Sequence, residues 1–167
     1  MRYDGHVAVH SPRSGPAEEQ EVARDTWRSF YDLVFSRQSH DRMHDVCESA
    51  GVTPGLMKAL ISMRPGEPRP MKELSGELRC DASYVTSLVD GLEERGFVER
   101  RSHPSDRRAK VVVLTSLGER TRERILDRMH QPPECFSALT TEEIATLGDL
   151  LGKLLDASAE PDVAAPA

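Results

Sequence analysis

The chain has no asparagine among its 167 residues and therefore no N-glycosylation acceptor. Its three cysteines, Cys47, Cys80 and Cys135, are too few and too scattered for a disulfide scaffold or a Cys-x-x-Cys zinc site. No apolar run approaches the roughly 18 residues of a membrane span, so a membrane-spanning protein is not expected. The opening MRYDGHVAVHSPRSGP lacks the apolar stretch of a secretory signal, which makes the cytoplasm the expected compartment. Catalytic signatures are missing too. There is no Gly-x-Ser-x-Gly and no His-Glu-x-x-His, and Gly148-x-x-x-Gly152-Lys153 has the wrong spacing for a phosphate loop. Neither an enzyme nor a bound cofactor is expected.

What is present is charge, unevenly placed. The chain carries a net −6, with 30% charged and 38% hydrophobic residues, a composition that suits a helix-rich globular protein. Residues 95–110 hold six cations against two carboxylates, a net +4, which leaves −10 on the rest. Local potential governs a contact surface more than net charge does, so one basic segment on an acidic chain suits a phosphate-binding footprint.

Periodicity divides the chain. Residues 1–16 read as a flexible arm without periodicity. Apolar residues then recur at helical spacing through Val22, Trp27, Phe30, Tyr31, Val34, Phe35, Met43, Val46 and Cys47, so 17–50 reads as one long helix for lobe support and dimerisation. Residues 51–115 read as a winged helix-turn-helix. Thr53-Pro54 starts a helix with Leu56, Met57, Leu60 and Ile61 on its apolar face. RPGEPRP (64–70) breaks it, and a short helix follows at 71–78. Asp81 caps the next, 82–95, which Gly96 ends. Phe97–Arg101 and Lys110–Leu114 have strand propensity around a turn-forming SHPSDRRA, a β-hairpin with a basic tip. Residues 116–156 read as C-terminal dimerisation helices. Thr115 caps the first, with Leu117, Thr121, Ile125 and Met129 inward. Thr140-x-x-Glu143 is a capping box for the second, whose Ile144, Leu147, Leu151, Leu154 and Leu155 form an aliphatic seam. Residues 157–167 read as a flexible tail. The expected fold is mainly α with a small β-hairpin wing.

Two helices joined by a tight turn, the second exposing hydroxyls, suit a reader of DNA. Ser83, Tyr84, Thr86 and Ser87 can approach base edges and phosphates without bulk. Arg100, Arg101, Arg107, Arg108 and Lys110 supply the wing's cations, and Asp106 can orient an arginine. A long first helix and an aliphatic last one leave apolar seams that a two-fold dimer would bury, matching a palindromic site.

These segments resemble the MarR family of winged helix-turn-helix regulators. The matching runs are LSGELRCDASYVTSLVDGLEERGFVERR (74–101) and DRRAKVVVLTSLG (106–118), with the wing's Asp-x-Arg at Asp106-Arg107-Arg108 and its closing Leu-Thr-x-x-Gly at Leu114, Thr115 and Gly118. The likeness spans roughly residues 20 to 156. It departs at Ser87 and Gly91, where many members carry arginine. The resemblance implies a triangular homodimer reading a palindromic operator, Arg108 in the minor groove held by Asp106, and repression relieved by a small ligand or by oxidation. It also favours an aromatic effector, here expected near Trp27, Tyr31, His44 and Met57. Thiol sensing through Cys47 or Cys135, and a winged-helix module for protein contact, are the alternatives. His40, His44 and Cys47 share a helical face that could hold a soft metal or simply line a polar stripe, and no metal is expected for want of a fourth ligand.

Overall fold

In the structure, a computed structural model, residues 15–102 and 110–158 are described. Helix α1 covers Pro16–Val34, with Pro16 at its first turn and Glu18 and Glu19 facing the positive end of its dipole. The single helix expected over 17–50 is two. Phe35 ends α1, Ser36 turns to an extended φ of −60° and ψ of 156°, and α2 runs Arg37–Ala50. The break has a local cause. The Ser36 hydroxyl accepts the Ser39 amide at 3.2 Å, and the Ser39 hydroxyl donates to the Leu33 carbonyl at 3.0 Å. Two serines thus satisfy groups that a continuous helix would have paired. Gly51, at φ 65°, closes α2 in the left-handed conformation.

Helix α3, Pro54–Ser62, begins at the Thr53 cap. Helices α4, Met71–Leu78, and α5, Ala82–Glu94, follow, and Asp81 caps α5 as expected. Strands β2, Val98–Ser102, and β3, Lys110–Leu114, pair antiparallel with Val98 opposite Leu114 and Ser102 opposite Lys110. A third strand was not read from the sequence. Arg69–Pro70, β1, pairs with Val112 and Val111, giving the order β1-β3-β2. Two residues with a proline carry no alternating pattern, and β1 exists only because β3 offers a free edge.

Helix α6, Ser116–His130, starts at Thr115, whose hydroxyl donates to the Gly96 carbonyl at 2.6 Å and accepts the Gly118 amide at 3.0 Å. One side chain therefore caps α6 and ties it to the turn after α5. Thr121 and Ile125 face inward as expected, Met129 is half-buried, and Leu117 is exposed, a correction. After a short 3₁₀ turn at Glu134–Ala138 comes α7, Thr141–Ser158. It reaches two residues into the expected tail, and Pro16 likewise belongs to α1 rather than the arm. The rest of both segments lies outside the described residues. The capping box forms: Glu143 accepts the Thr140 amide at 2.8 Å and its hydroxyl at 3.0 Å.

The core runs through the middle of the chain. Val46 and Cys47 of α2, Leu56, Met57 and Leu60 of α3, Leu74 and Leu78 of α4, and Val85, Leu88, Val89 and Leu92 of α5 close on Phe97, Val98, Val112, Leu114 and Ile125. Neither α1 nor α7 contains a buried residue.

Candidate nucleic-acid interface

The period of α5 sorts its side chains. Val85, Leu88, Val89 and Leu92 are buried, so Ser83, Tyr84, Thr86 and Ser87 are turned to solvent. Asp81 organises the first turn, accepting the Ser83 hydroxyl at 2.5 Å and the Tyr84 amide at 2.9 Å. The Ser83 hydroxyl, then the Tyr84 amide, hold its carboxyl below its ordinary value. Thr86 donates its hydroxyl to the Ala82 carbonyl at 2.8 Å and retains acceptor capacity. Tyr84 lies against the start of α3: a Cβ on Gly55 would stand 2.7 Å from its hydroxyl oxygen. Gly91 has a similar reason. A Cβ there would approach Leu56 Cδ2 to 3.0 Å, so a larger residue at this position requires the Leu56 side chain to give way where α3 and α5 cross closely.

The wing cations part company. Arg100 is engaged internally, paired with Asp90 of α5 at 2.5 Å and with Glu93, and Glu93 also accepts its backbone amide at 3.1 Å. Burial alone would lower its guanidinium pKa; the two carboxylates outweigh that and raise it. Arg100 thus fastens the wing to α5 rather than standing free. Arg101 is exposed and pairs with Glu99, and Lys110 donates to the Ser102 hydroxyl at 3.4 Å. Asp106, Arg107 and Arg108 lie outside the described residues.

Sequence reading passed over two cations at the turn between α4 and α5. Arg79 sits in the left-handed region at φ 52°, the one non-glycine residue there among the described residues. Lys58 of α3 reaches across to the Leu78 carbonyl at 3.4 Å. The signal was present in the run Leu78-Arg79-Cys80-Asp81, where the tight turn needs a residue of positive φ and no glycine or asparagine stands.

The four expected effector residues lie on three helices, α1, α2 and α3. Trp27 and Tyr31 are exposed on α1, Trp27 stacked on Phe30 with centroids 5.7 Å apart and Tyr31 tilted against Phe35 at 4.4 Å. His44 is exposed on α2, and Met57 is buried, its sulfur 3.6 Å from Cys47 Sγ. A cleft of about 340 Å³ opens instead among Phe30 and Val34 of α1, Arg42 of α2, Cys135 and Phe136, and Leu147 and Leu151 of α7. Burial raises the Cys47 thiol pKa, whereas Cys135 is exposed. Cys80 is half-buried against the core. His40, His44 and Cys47 do not form a ligand group; His44 groups with Asp45 and Glu48, all exposed. No helix among the described residues is long and apolar enough to cross a membrane.

Known proteins agree with this architecture. The MarR family profile matches residues 52–110, the lobe from before α3 to the start of β3. The multiple antibiotic resistance protein MarR of Escherichia coli is 32% identical over 123 residues, 71% of this chain and 84% of that protein. The HTH-type transcriptional regulator BilQ of Clostridium symbiosum is 29% identical over 127 residues, 75% and 88% of the two chains. The crystal structure of E. coli MarR in its apo form superposes with a TM-score of 0.62 at 29% identity, covering 76% of this chain and 95% of that one. With helix order, sheet and relatives in accord, the chain belongs to the MarR family of winged helix-turn-helix transcriptional regulators, and its role is regulation through DNA rather than catalysis.

Proposed function

We propose that the protein is a dimeric repressor that reads a palindromic operator through α5 and the wing and is released by a small ligand. The observation that carries this reading is the hydroxyl-bearing face of α5, exposed while the helix's opposite face is closed core. Ser83, Tyr84, Thr86 and Ser87 serve as groove contacts, Arg101, Arg107, Arg108 and Lys110 as backbone and minor-groove cations, with Asp106 orienting Arg108.

Dimerisation has separate support. Eleven large apolar side chains on and just after α1 and on α7 are exposed, from Val22 through Phe35 and from Ile144 through Leu155. A patch of that size is rare on a monomer, and a two-fold axis would bury it. Two lobes related by that axis match half-sites about one helical turn apart. The cleft beside Phe30 and Leu147 suits a small, largely apolar effector, since ligand sites of this size are mostly apolar with a few polar groups. It borders the dimerising helices, so an occupant that favours one lobe spacing shifts the population away from the DNA-competent form. A thiol-based release would fall to Cys135, because Cys47 is buried with a raised pKa.

The test is selection of bound fragments from genomic DNA by the purified protein, followed by anisotropy titration over a range of salt. Affinity that drops steeply with salt is expected, because phosphate contacts release counterions. Binding that ignores salt, or no binding to any duplex, sinks the DNA reading in favour of a protein-interaction module.

A further inference from the structure

We infer that the turn joining α4 and α5 is a phosphate clamp, with Arg79 and Lys58 gripping the DNA backbone beside the groove that α5 enters. The inference rests on the DNA reading above and extends it to two residues outside the wing.

Three observations carry it. The first is strain. Arg79 holds φ 52° and ψ 45°, a conformation natural to glycine and uncommon for a long side chain. Its amide closes α4 by donating to the Gly76 carbonyl at 3.3 Å, and the Cys80 amide donates to Ser75 at 3.2 Å. Glycine would make the same bonds without the Cβ penalty, so nothing in the backbone asks for arginine. The side chain is exposed and contributes nothing to the core.

The second is charge accounting. Four other arginines of the lobe are paired with carboxylates: Arg64 with Glu67, Arg69 with Glu73 and Glu77, Arg100 with Asp90 and Glu93, Arg101 with Glu99. Arg95 is turned to the Gly51 and Gly91 carbonyls. Among the described residues, no carboxylate lies within ion-pairing distance of Arg79 or Lys58.

The third is placement. Lys58 extends from α3 to the Leu78 carbonyl, one residue before Arg79, so both cations belong to one knuckle of the lobe. Asp81, two residues on, caps α5, and Ser83 and Tyr84 follow directly. A duplex that receives the first turn of α5 brings its backbone past this knuckle. Contacts here would set register and orientation while carrying no sequence information.

The experiment uses the full chain with two duplexes of equal length: a genomic fragment selected by the wild type, and a random sequence. The variants are Arg79→Gly, Arg79→Lys and Lys58→Gln. Arg79→Gly should melt at or above the wild-type temperature, since it relieves the left-handed strain. It should nonetheless bind both duplexes about tenfold more weakly, with the salt slope reduced by about one. Arg79→Lys should retain most of the affinity, and Lys58→Gln should repeat the loss at unchanged melting temperature. Unchanged affinity and slope in Arg79→Gly overturns the clamp while leaving the regulator reading intact. A loss confined to the selected fragment, with the salt slope unchanged, also overturns it, because that is base readout. A wild type that binds neither duplex removes the regulator reading and the clamp together.

Discussion

The lobe from α2 to α6 and the two flanking helices, α1 and α7, follow the same amphipathic code with opposite results. In the lobe, apolar positions three and four apart meet one another, and Leu60, Val85, Leu92 and Val112 are wholly buried. In α1 and α7 the same spacing leaves Trp27 63%, Leu154 66% and Leu155 69% exposed. Periodicity says that a helix has an apolar face; it does not say which molecule covers it. The lobe's stability is therefore intramolecular, and in the proposed dimer that of the flanks depends on a partner and on concentration.

The sharpest break in the comparison comes from one methyl group. A Cβ on Gly118 would stand 1.9 Å from the Phe97 carbonyl oxygen, with backbone on both sides of the clash. Gly118→Ala should cost at least about 4 kcal/mol, enough to unfold a marginal domain, read as loss of the cooperative melting transition. On α7, a Cβ on Gly148 meets nothing within 4 Å, so Gly148→Ala should leave the lobe's melting temperature unchanged. If both variants melt alike, the tight junction of Phe97 and α6 does not support the lobe.

Next in size is a leucine exchanged in each region. Leu60→Ala empties a fully buried site and should cost about 3 kcal/mol at any protein concentration, measured by denaturant unfolding. Leu154→Glu with Leu155→Glu should leave lobe unfolding as it is and abolish the dimer in sedimentation, along with any concentration dependence of melting. A double variant that sediments like the wild type would remove α7 from the interface.

These two regions also differ in how far they could be read beforehand. Helices α3 to α6 and the paired strands were legible because each carries its own punctuation: Thr53-Pro54, Asp81, Gly96 and Thr115 all act where expected. The break at Phe35–Ser36 was not legible. An apolar stripe runs through it, and a serine cap inside a polar stretch reads like any solvent-facing turn. Strand β1 depends on pairing with Val111 and Val112, far along the chain, and leaves no local mark. At the site, the exposed hydroxyls of α5 followed from burial of its other face. The pairing of Arg100 with Asp90 and Glu93 did not, because spacing within one element cannot show that a carboxylate on another lies within 2.5 Å. For the same reason, spacing could not show what surrounds the expected effector residues. Met57 shares an apolar stripe with the core, and only packing reveals that it faces Cys47.

The smallest expected effect lies in acid, where each region has one carboxylate capping a helix. Asp81 at the start of α5 and Glu143 in the first turn of α7 both titrate below their ordinary values of 3.8 and 4.5. The Ser83 hydroxyl and Tyr84 amide lower the first, and the Thr140 amide and hydroxyl the second. A depressed carboxyl contributes stability that is complete above its ordinary value and lost as pH falls through the depressed one. Both ends should therefore be firm near neutrality and fray progressively below about pH 4 to 5, the ordinary carboxylate range. Asparagine and glutamine keep the capping geometry without a titrating proton. Asp81→Asn should thus flatten the acid dependence of amide exchange at Tyr84 and leave that at Thr140 unchanged, while Glu143→Gln does the reverse. If either substitution flattens both positions, lobe and flank melt as one unit and the division between them is not thermodynamic.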